Sequence, residues 1–338
     1  MKSLIQKLVE TTGPSGYETQ VRAIVRTEVE HLADELRVDN MGNLIVRRGQ
    51  GGPGGLKIML AAHMDEIGVM ASHIDERGYV RFQPVGGVFR QNCIGGRVRF
   101  LDGTAGVIGV ERQDDPSKLP TLDQMFIDVG ATSRKDCPVR VGDVAAFDRP
   151  FTDLGKRLVS KAMDDRIGVA VLVETLRQLA AQAIQSPHQV YMVFSVQEEV
   201  GLRGATAAAY GVDPDLGLAV DVTDSGDTPK GIRMEVSLGK GPAIKVRDSY
   251  ILSDPRVVNW MVETAEKAGL PYQLEILDRG GTDAHAIQLT HAGVPAGCLS
   301  IPCRYIHSPS EMVDYDDVLQ AVRLLVELLR QPVDLGAL

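Results

Sequence analysis

Residues 56–68 read LKIMLAAHMDEIG, an apolar run that follows the glycine-rich stretch GQGGPGG (49–55) and ends in His63 and Asp65. A segment apolar at successive rather than alternating positions is the mark of a strand buried on both faces, as in a sheet covered by helices. Its polar end matters as much as its apolar body. In open α/β sheets the functional groups collect just beyond the carboxyl ends of the strands.

Working outward, HQVYMVFSV (188–196), LGLAVDV (216–222), PYQLEIL (271–277) and PAGCLSI (295–301) read as further strands. Between and after them lie amphipathic helical patterns: RIGVAVLVETLRQLAAQ (166–182), GLRGATAAAYG (201–211), DPRVVNWMVETAEKAG (254–269) and DYDDVLQAVRLLVELLRQ (314–331). Near the start, YETQVRAIVRTEVEHLAD (17–34) reads as a helix and ELRVDNMGNLIVRR (35–48) as a hairpin around an Asn/Gly turn. Strands alternating with helices predict an α/β fold with a mainly parallel, helix-covered sheet. Between residues 67 and 158 the texture changes to short alternating runs such as GYVRFQPV (78–85), AGVIGV (105–110) and DVAAFD (143–148), broken by Gly, Pro and Asp. That texture predicts a small all-β barrel or sandwich inserted into the first domain. The expected division is therefore 1–66 with 159–338 as the α/β domain, and 67–158 as the insertion. A chain of 338 residues has room for both.

Hydrophobic residues are 44% of the chain and charged residues 24%, so it can bury cores throughout. A formal net charge of −9, with no local Lys/Arg cluster, argues against binding nucleic acid through its phosphates. The opening MKSLIQKLVETTGPSG lacks the long apolar core of a secretion signal, and no run approaches the roughly 18 apolar residues of a membrane span. A cytoplasmic protein is expected. Cys93, Cys137, Cys298 and Cys303 show no CxxC spacing and are expected to be reduced structural thiols.

The strand ends share one kind of chemistry. Glu198 and Glu199 follow YMVFSV, Asp221 follows LGLAV, His307 lies in the loop after PAGCLSI, and Asp164 and Asp165 stand just before a helix. A lone histidine after a strand is more often a satisfied loop residue than a ligand, and an Asp before a helix is usually a cap. The joint pattern changes that balance. Imidazoles and carboxylates without cysteine suit hard-to-borderline divalent ions. Two histidines and three carboxylates hold two ions when one carboxylate bridges, leaving a net charge of about plus one for a bound hydroxide.

Six motifs then fall in order: AAHMDEIG (61–68), SKAMDDRIG (160–168), SVQEEVGLRGA (195–205), AVDVTDSGD (219–227), RGGTDAHAI (279–287) and YIHSPSEMV (305–313). With them the chain resembles, over essentially its whole length, the M42 metallo-aminopeptidases. These are the cytosolic glutamyl and deblocking aminopeptidase group, related to the M20 and M28 di-zinc peptidases. The resemblance implies that His63, Asp164 and Asp221 hold one metal, and Asp164, Glu199 and His307 the other. Asp164 is taken as the bridge because related peptidases place it four residues before a glycine, here Gly168; Asp165 is the alternative. Asp65 would orient His63, and Glu198 would be the general base toward a metal-bridging water. The stretch with Gly281, Thr282, Asp283 and His285 looks like the family's substrate-pocket loop, although His285 stands where a small residue is expected.

The resemblance also implies two divalent ions per subunit, zinc or cobalt, with manganese a further candidate. It implies hydrolysis of N-terminal residues from short peptides, and homo-oligomers, commonly dodecamers built from dimers with the inserted β domain at the contacts. Two other readings compete. A glycoside hydrolase of the endoglucanase type needs two carboxylates and no metal, leaving His63 and His307 without a task. An inactive metal-binding scaffold would need the ligands but not Glu198.

Overall fold

The computed structural model describes residues 1–115 and 117–333. In chain order the N-terminal part gives α1 (Lys2–Glu10), α2 (Thr19–Val29), β1 (Glu35–Val38), β2 (Leu44–Arg48) and β3 (Lys57–His63). Then come β4 (Gly68–Ile74), β5 (Val80–Val85), α3 (Arg90–Cys93), β6 (Arg97–Phe100), β7 (Ala105–Val110), β8 (Met125–Asp128) and β9 (Val144–Phe147). The chain continues through β10 (Thr152–Asp153), β11 (Arg157–Ser160), α4 (Met163–Ala181), β12 (Gln189–Ser195), α5 (Arg203–Val212), β13 (Leu216–Thr223) and β14 (Ala243–Arg247). It ends with α6 (Pro255–Ala268), β15 (Gln273–Ile276), α7 (Asp283–Gln288), β16 (Ala296–Arg304), β17 (Glu311–Asp314) and α8 (Tyr315–Arg330).

The large sheet runs β1-β2-β12-β3-β13-β16-β17-β11-β10, with β14 and β15 branching from β16. Its central strands β12, β3, β13 and β16 are parallel, but β2 on one side and β14 and β17 on the other pair antiparallel. The expected mainly parallel sheet is thus a mixed one. The reason lies in the connections: a parallel pair needs a long crossover, whereas short turns such as those joining β1 to β2 and β16 to β17 can only reverse the chain. Strand β14, which the hydrophobic pattern did not announce, is the strand that carries β15 at the edge.

Strand β3 shows why the centre is apolar at every position. Ile58, Leu60 and Ala62 pack on the face covered by α1, α2, α4, α6 and α8, while Met59 and Ala61 pack on the face covered by α5 and α7. The second texture is a closed six-stranded barrel, β4-β5-β8-β7-β6-β9. In β6 the arginines Arg97 and Arg99 face out while Val98 and Phe100 join Val69, Phe82, Ile108 and Phe147 in a core of the barrel's own. Closure leaves the barrel no free edge. Its strands extend from Gly68 to Phe147, and the chain rejoins the large sheet at Thr152, inside the 67–158 span read for the insertion. Among the described residues no helix is long and apolar enough to cross a membrane. All four cysteines are unpaired.

Candidate metal centre

The carboxyl ends of the central strands deliver their polar residues to one place. His63 closes β3 in register with Ser195, the last residue of β12, and Glu198 and Glu199 follow within four residues. Asp221 lies within β13, and His307 sits in the turn between β16 and β17 with φ at +60°. Asp164 and Asp165, joined by a cis peptide bond, form an irregular first turn of α4, whose regular helical backbone follows them. Gly168 makes their approach feasible. A Cβ there would stand 2.6 Å from the Val220 carbonyl oxygen, so only glycine lets α4 lie directly on β13 beside Asp221.

Asp164 occupies the middle of the cluster. Its Oδ1 lies 3.0 Å from His63 Nε2 and its Oδ2 3.4 Å from His307 Nε2. Glu199 Oε2 is 3.1 Å from His307 Nε2, while Asp221 Oδ1 and Glu198 Oε2 stand 4.0 and 3.9 Å from His63 Nε2. Donor atoms of His63, Asp164 and Glu199 all lie within 4.8 Å of one another, and so do those of His63, Asp165 and Asp221. The two neighbouring aspartates differ in what their oxygens already do. Asp165 accepts the backbone N–H of Gly168 at 3.0 Å and of His63 at 3.2 Å, whereas Asp164 turns one oxygen to each histidine.

The electrostatics are those of a site built around positive charge. Burial, reinforced by neighbouring carboxylates, pushes Glu198, Asp221 and Asp165 well above the usual carboxylate range, with His63 pulling in the opposite direction. Glu199 is raised in the same way by burial and by Asp164. Burial acts against the charged form of His307 too, but its hydrogen bonds to Asp164 and Glu199 outweigh that and push it up to about 12. So many buried carboxylates are costly to keep charged unless cations sit among them. Two imidazoles and a central two-sided carboxylate are the donors a pair of divalent ions takes.

Residues 42–324 match the M42 glutamyl aminopeptidase family. The chain belongs to that family. It is 37% identical over 349 residues to a lysyl aminopeptidase of Pyrococcus furiosus, covering 98% of each chain. Among solved structures it resembles an aminopeptidase of the archaeon Desulfurococcus kamchatkensis, with a TM-score of 0.92, 43% identity, and 97% of this chain and 94% of that one covered. It also resembles the TET1 peptidase of Pyrococcus horikoshii, described as assembling into a tetrahedron or a large octahedral shell, with a TM-score of 0.89, 31% identity, and 98% and 99% covered. This M42 protein is a hydrolase of the aminopeptidase type.

Two buried carboxylates hold the M42 site in shape. Asp65, fully buried, faces His63 Nδ1 at 3.4 Å and accepts the backbone N–H of Glu198 at 3.0 Å and of Glu199 at 3.2 Å. Glu311, at which sequence reasoning did not stop, accepts the N–H of Asp164 at 2.9 Å and of His307 at 2.8 Å. The barrel contributes as well. A Cβ on Gly87 would stand 2.5 Å from His307 Nδ1, and Asn92 donates from its amide to the His307 carbonyl at 3.0 Å. Nothing in the sequence around Gly87 or Asn92 announces a role, because each meets its partner across some two hundred residues of chain.

The cluster opens into a cavity of about 590 Å³. Gly281, Thr282 and His285 line it, and His285 Nδ1 donates to the Tyr250 carbonyl at 2.8 Å. Asp283 does not line it. Its carboxylate lies beneath, 2% exposed, accepting from the Ser195 hydroxyl, and burial raises it to about 6.

Proposed function

We propose that the chain removes N-terminal residues from short peptides with two divalent ions, one held by His63, Asp164 and Asp221 and the other by Asp164, Glu199 and His307. The observation that carries this reading is the placement of Asp164, with one oxygen toward each histidine. Bound there, divalent ions lower the pKa of a coordinated water toward neutrality and polarise the scissile carbonyl. Zinc or cobalt suits the donors, with manganese also compatible.

The chain's own groups do the rest. His63 Nδ1 donates to the Asp65 backbone carbonyl at 3.2 Å, with the Asp65 carboxylate 3.4 Å away, and this keeps Nε2 free as a donor atom to metal, the arrangement that fixes the tautomer of a ligating histidine. Glu198 carries no ligand duty in this scheme. Its carboxylate lines the cleft 3.9 Å from His63 Nε2, within reach of a water held between the ligand groups, and suits a group that takes a proton from that water and passes it to the leaving amine. The walls around Gly281 and His285 receive the side chain of the residue being removed.

The glycoside hydrolase reading leaves unexplained why two imidazoles flank one aspartate. The barrel, with Val107 and Val141 exposed at its surface, is proposed as the assembly domain of a homo-oligomer, a dodecamer built from dimers of the TET type, working in the cytoplasm. Glu198→Gln and Glu199→Gln separate the assigned roles. Glu198→Gln should keep both ions and lose turnover of aminoacyl-anilides, whereas Glu199→Gln should lose an ion. Full turnover by Glu198→Gln, or by protein verified free of metal, would overturn the scheme.

A further inference from the structure

Adjacent residues of a strand point to opposite faces, yet Glu198 and Glu199 enter the same cleft. The explanation lies in their backbone. After Ser195 the chain leaves the sheet, and Gln197 takes a left-handed conformation with φ at +55°. Four consecutive N–H groups then each find a side-chain oxygen from a distant part of the chain. Val196 donates to Asn43 Oδ1 at 3.0 Å, Gln197 to Glu18 Oε1 at 3.1 Å, Glu198 to Asp65 Oδ1 at 3.0 Å and Glu199 to Asp65 Oδ2 at 3.2 Å. The Ser15 hydroxyl donates to Asp65 Oδ2 at 2.6 Å, so a hydroxyl and two amides together hold that carboxylate beside the His63 ring.

These acceptors are themselves anchored. Asn43 also donates to the Gly204 carbonyl at 2.9 Å, closing the segment from its far side. Glu18 accepts from Gly16 at 2.6 Å, and the loop before it is tied down at Gly13, whose N–H donates to Glu66 Oε1 at 2.9 Å. Glu66 is 3% exposed and pairs with Lys161 at 2.7 Å and Arg166 at 3.3 Å; Arg166 stands next to Asp165. Arg166 in turn donates to the carbonyls of Leu8, Thr11 and Gly13. The N-terminal loop is therefore fastened to the first turn of α4 on one side and to the tandem glutamates on the other.

Any buried amide needs a partner, and ordinary loops find one in backbone or water. Here four in succession are met by side chains from three separate segments, and the path they enforce is the one that turns both glutamates inward. We propose that Ser15, Glu18 and Asn43 are positioning residues of the catalytic centre, setting the backbone of residues 196–199 so that Glu198 and Glu199 reach one site in different roles. This rests on the di-metal reading above.

Glu18 gives the cleanest test, because both of its accepted hydrogen bonds come from backbone amides and a glutamine keeps the same Oε1 acceptor. In the full-length protein, Glu18→Ala should lower kcat about tenfold or more with KM nearly unchanged, and weaken Co²⁺ binding with an altered visible cobalt spectrum. Glu18→Gln should restore both to within about threefold. Ser15→Ala with Ser15→Thr forms a second, independent pair with the same expectation, and serves if Glu18→Ala does not fold. Variants that keep kcat and Co²⁺ affinity within twofold of the parent, or a failed rescue in a protein of unchanged melting temperature, would refute the positioning roles. A parent protein without metal-dependent turnover would count against the proposed activity instead, and the Co²⁺ affinities alone would then decide this inference.

Discussion

Gly87→Ala isolates the contribution of the barrel to the metal centre. The added Cβ would lie 2.5 Å from His307 Nδ1, and ordinary contact begins at 3.4 Å, so the imidazole must retreat by about 0.9 Å (3.4 minus 2.5). The ring cannot carry its backbone along, because Glu311 holds the His307 N–H and Asn92 its carbonyl. Gly87 itself does not have a positive φ, so alanine brings no backbone strain and the effect is steric alone. Displacing a working group by about 1 Å costs up to about 100-fold in rate, or roughly 2.7 kcal/mol of transition-state stabilisation. The expected result is a fall of that order in kcat/KM on an aminoacyl-anilide, with weakened retention of the ion assigned to His307. The melting temperature should barely move, since the substitution lies at the wall of an open cleft. A Gly87→Ala protein with kcat/KM within threefold of the parent and an unchanged metal content would show that His307 does not depend on the barrel.

Three further expectations follow from the buried charges. Glu66→Gln leaves Lys161 and Arg166 buried with too little negative charge, and should cost about 3–5 kcal/mol, read as a lower urea midpoint. His188 accepts the Leu56 N–H through Nδ1, and burial holds its pKa below 6.5 in the folded protein. The unfolded chain therefore binds the extra proton more readily, so this contribution to stability is present above about pH 6.5 and is lost as pH falls through the folded value. Comparing His188→Gln with the parent between pH 8 and 5.5 should show a shallower acid decline in the variant, and equal slopes would contradict the argument. Divalent metal at about 100 times its dissociation constant should stabilise the parent by about 2.7 kcal/mol per ion bound, and Asp164→Asn should abolish most of that gain in a thermal melt.

The parts of the fold that sequence made legible are those where one residue's own chemistry marks its place. Apolar strands that carry His63, Glu199, Asp221 or His307 at or just beyond their carboxyl ends hold both the sheet and the candidate ligands in a single pattern. What stayed hidden acts through the backbone. Glu18 and Gln197 are 179 residues apart, Asn43 and Val196 are 153 apart, and the contact made at each amide is independent of the side chain there. A pattern search sees an asparagine or a glutamate and has no signal that its partner is an N–H elsewhere. The hairpin β1–β2 was legible at one margin of the sheet, but the antiparallel strands at the other were missed for a related reason. β14 and β17 are short, and half-apolar strands of four or five residues do not stand out from loops.

The position of the insertion ties these observations together. The chain leaves the large sheet directly after His63 and Asp65 and returns through β10 and β11 just before Asp164, so both crossings flank residues of the candidate metal cluster. A barrel inserted at the opposite ends of the strands could pack equally well but would never reach His307. Inserted here, its first hairpin and the loop after β5 bring Gly86 against Glu199 and Gly87 against His307, two residues assigned to the same ion. Asp221, assigned to the other ion, is fixed by the sheet, and His63 by β3 and Asp65. The two halves of the site thus differ in mechanical origin. Any rotation of the barrel relative to the sheet would be felt first by the half that contains His307 and Glu199.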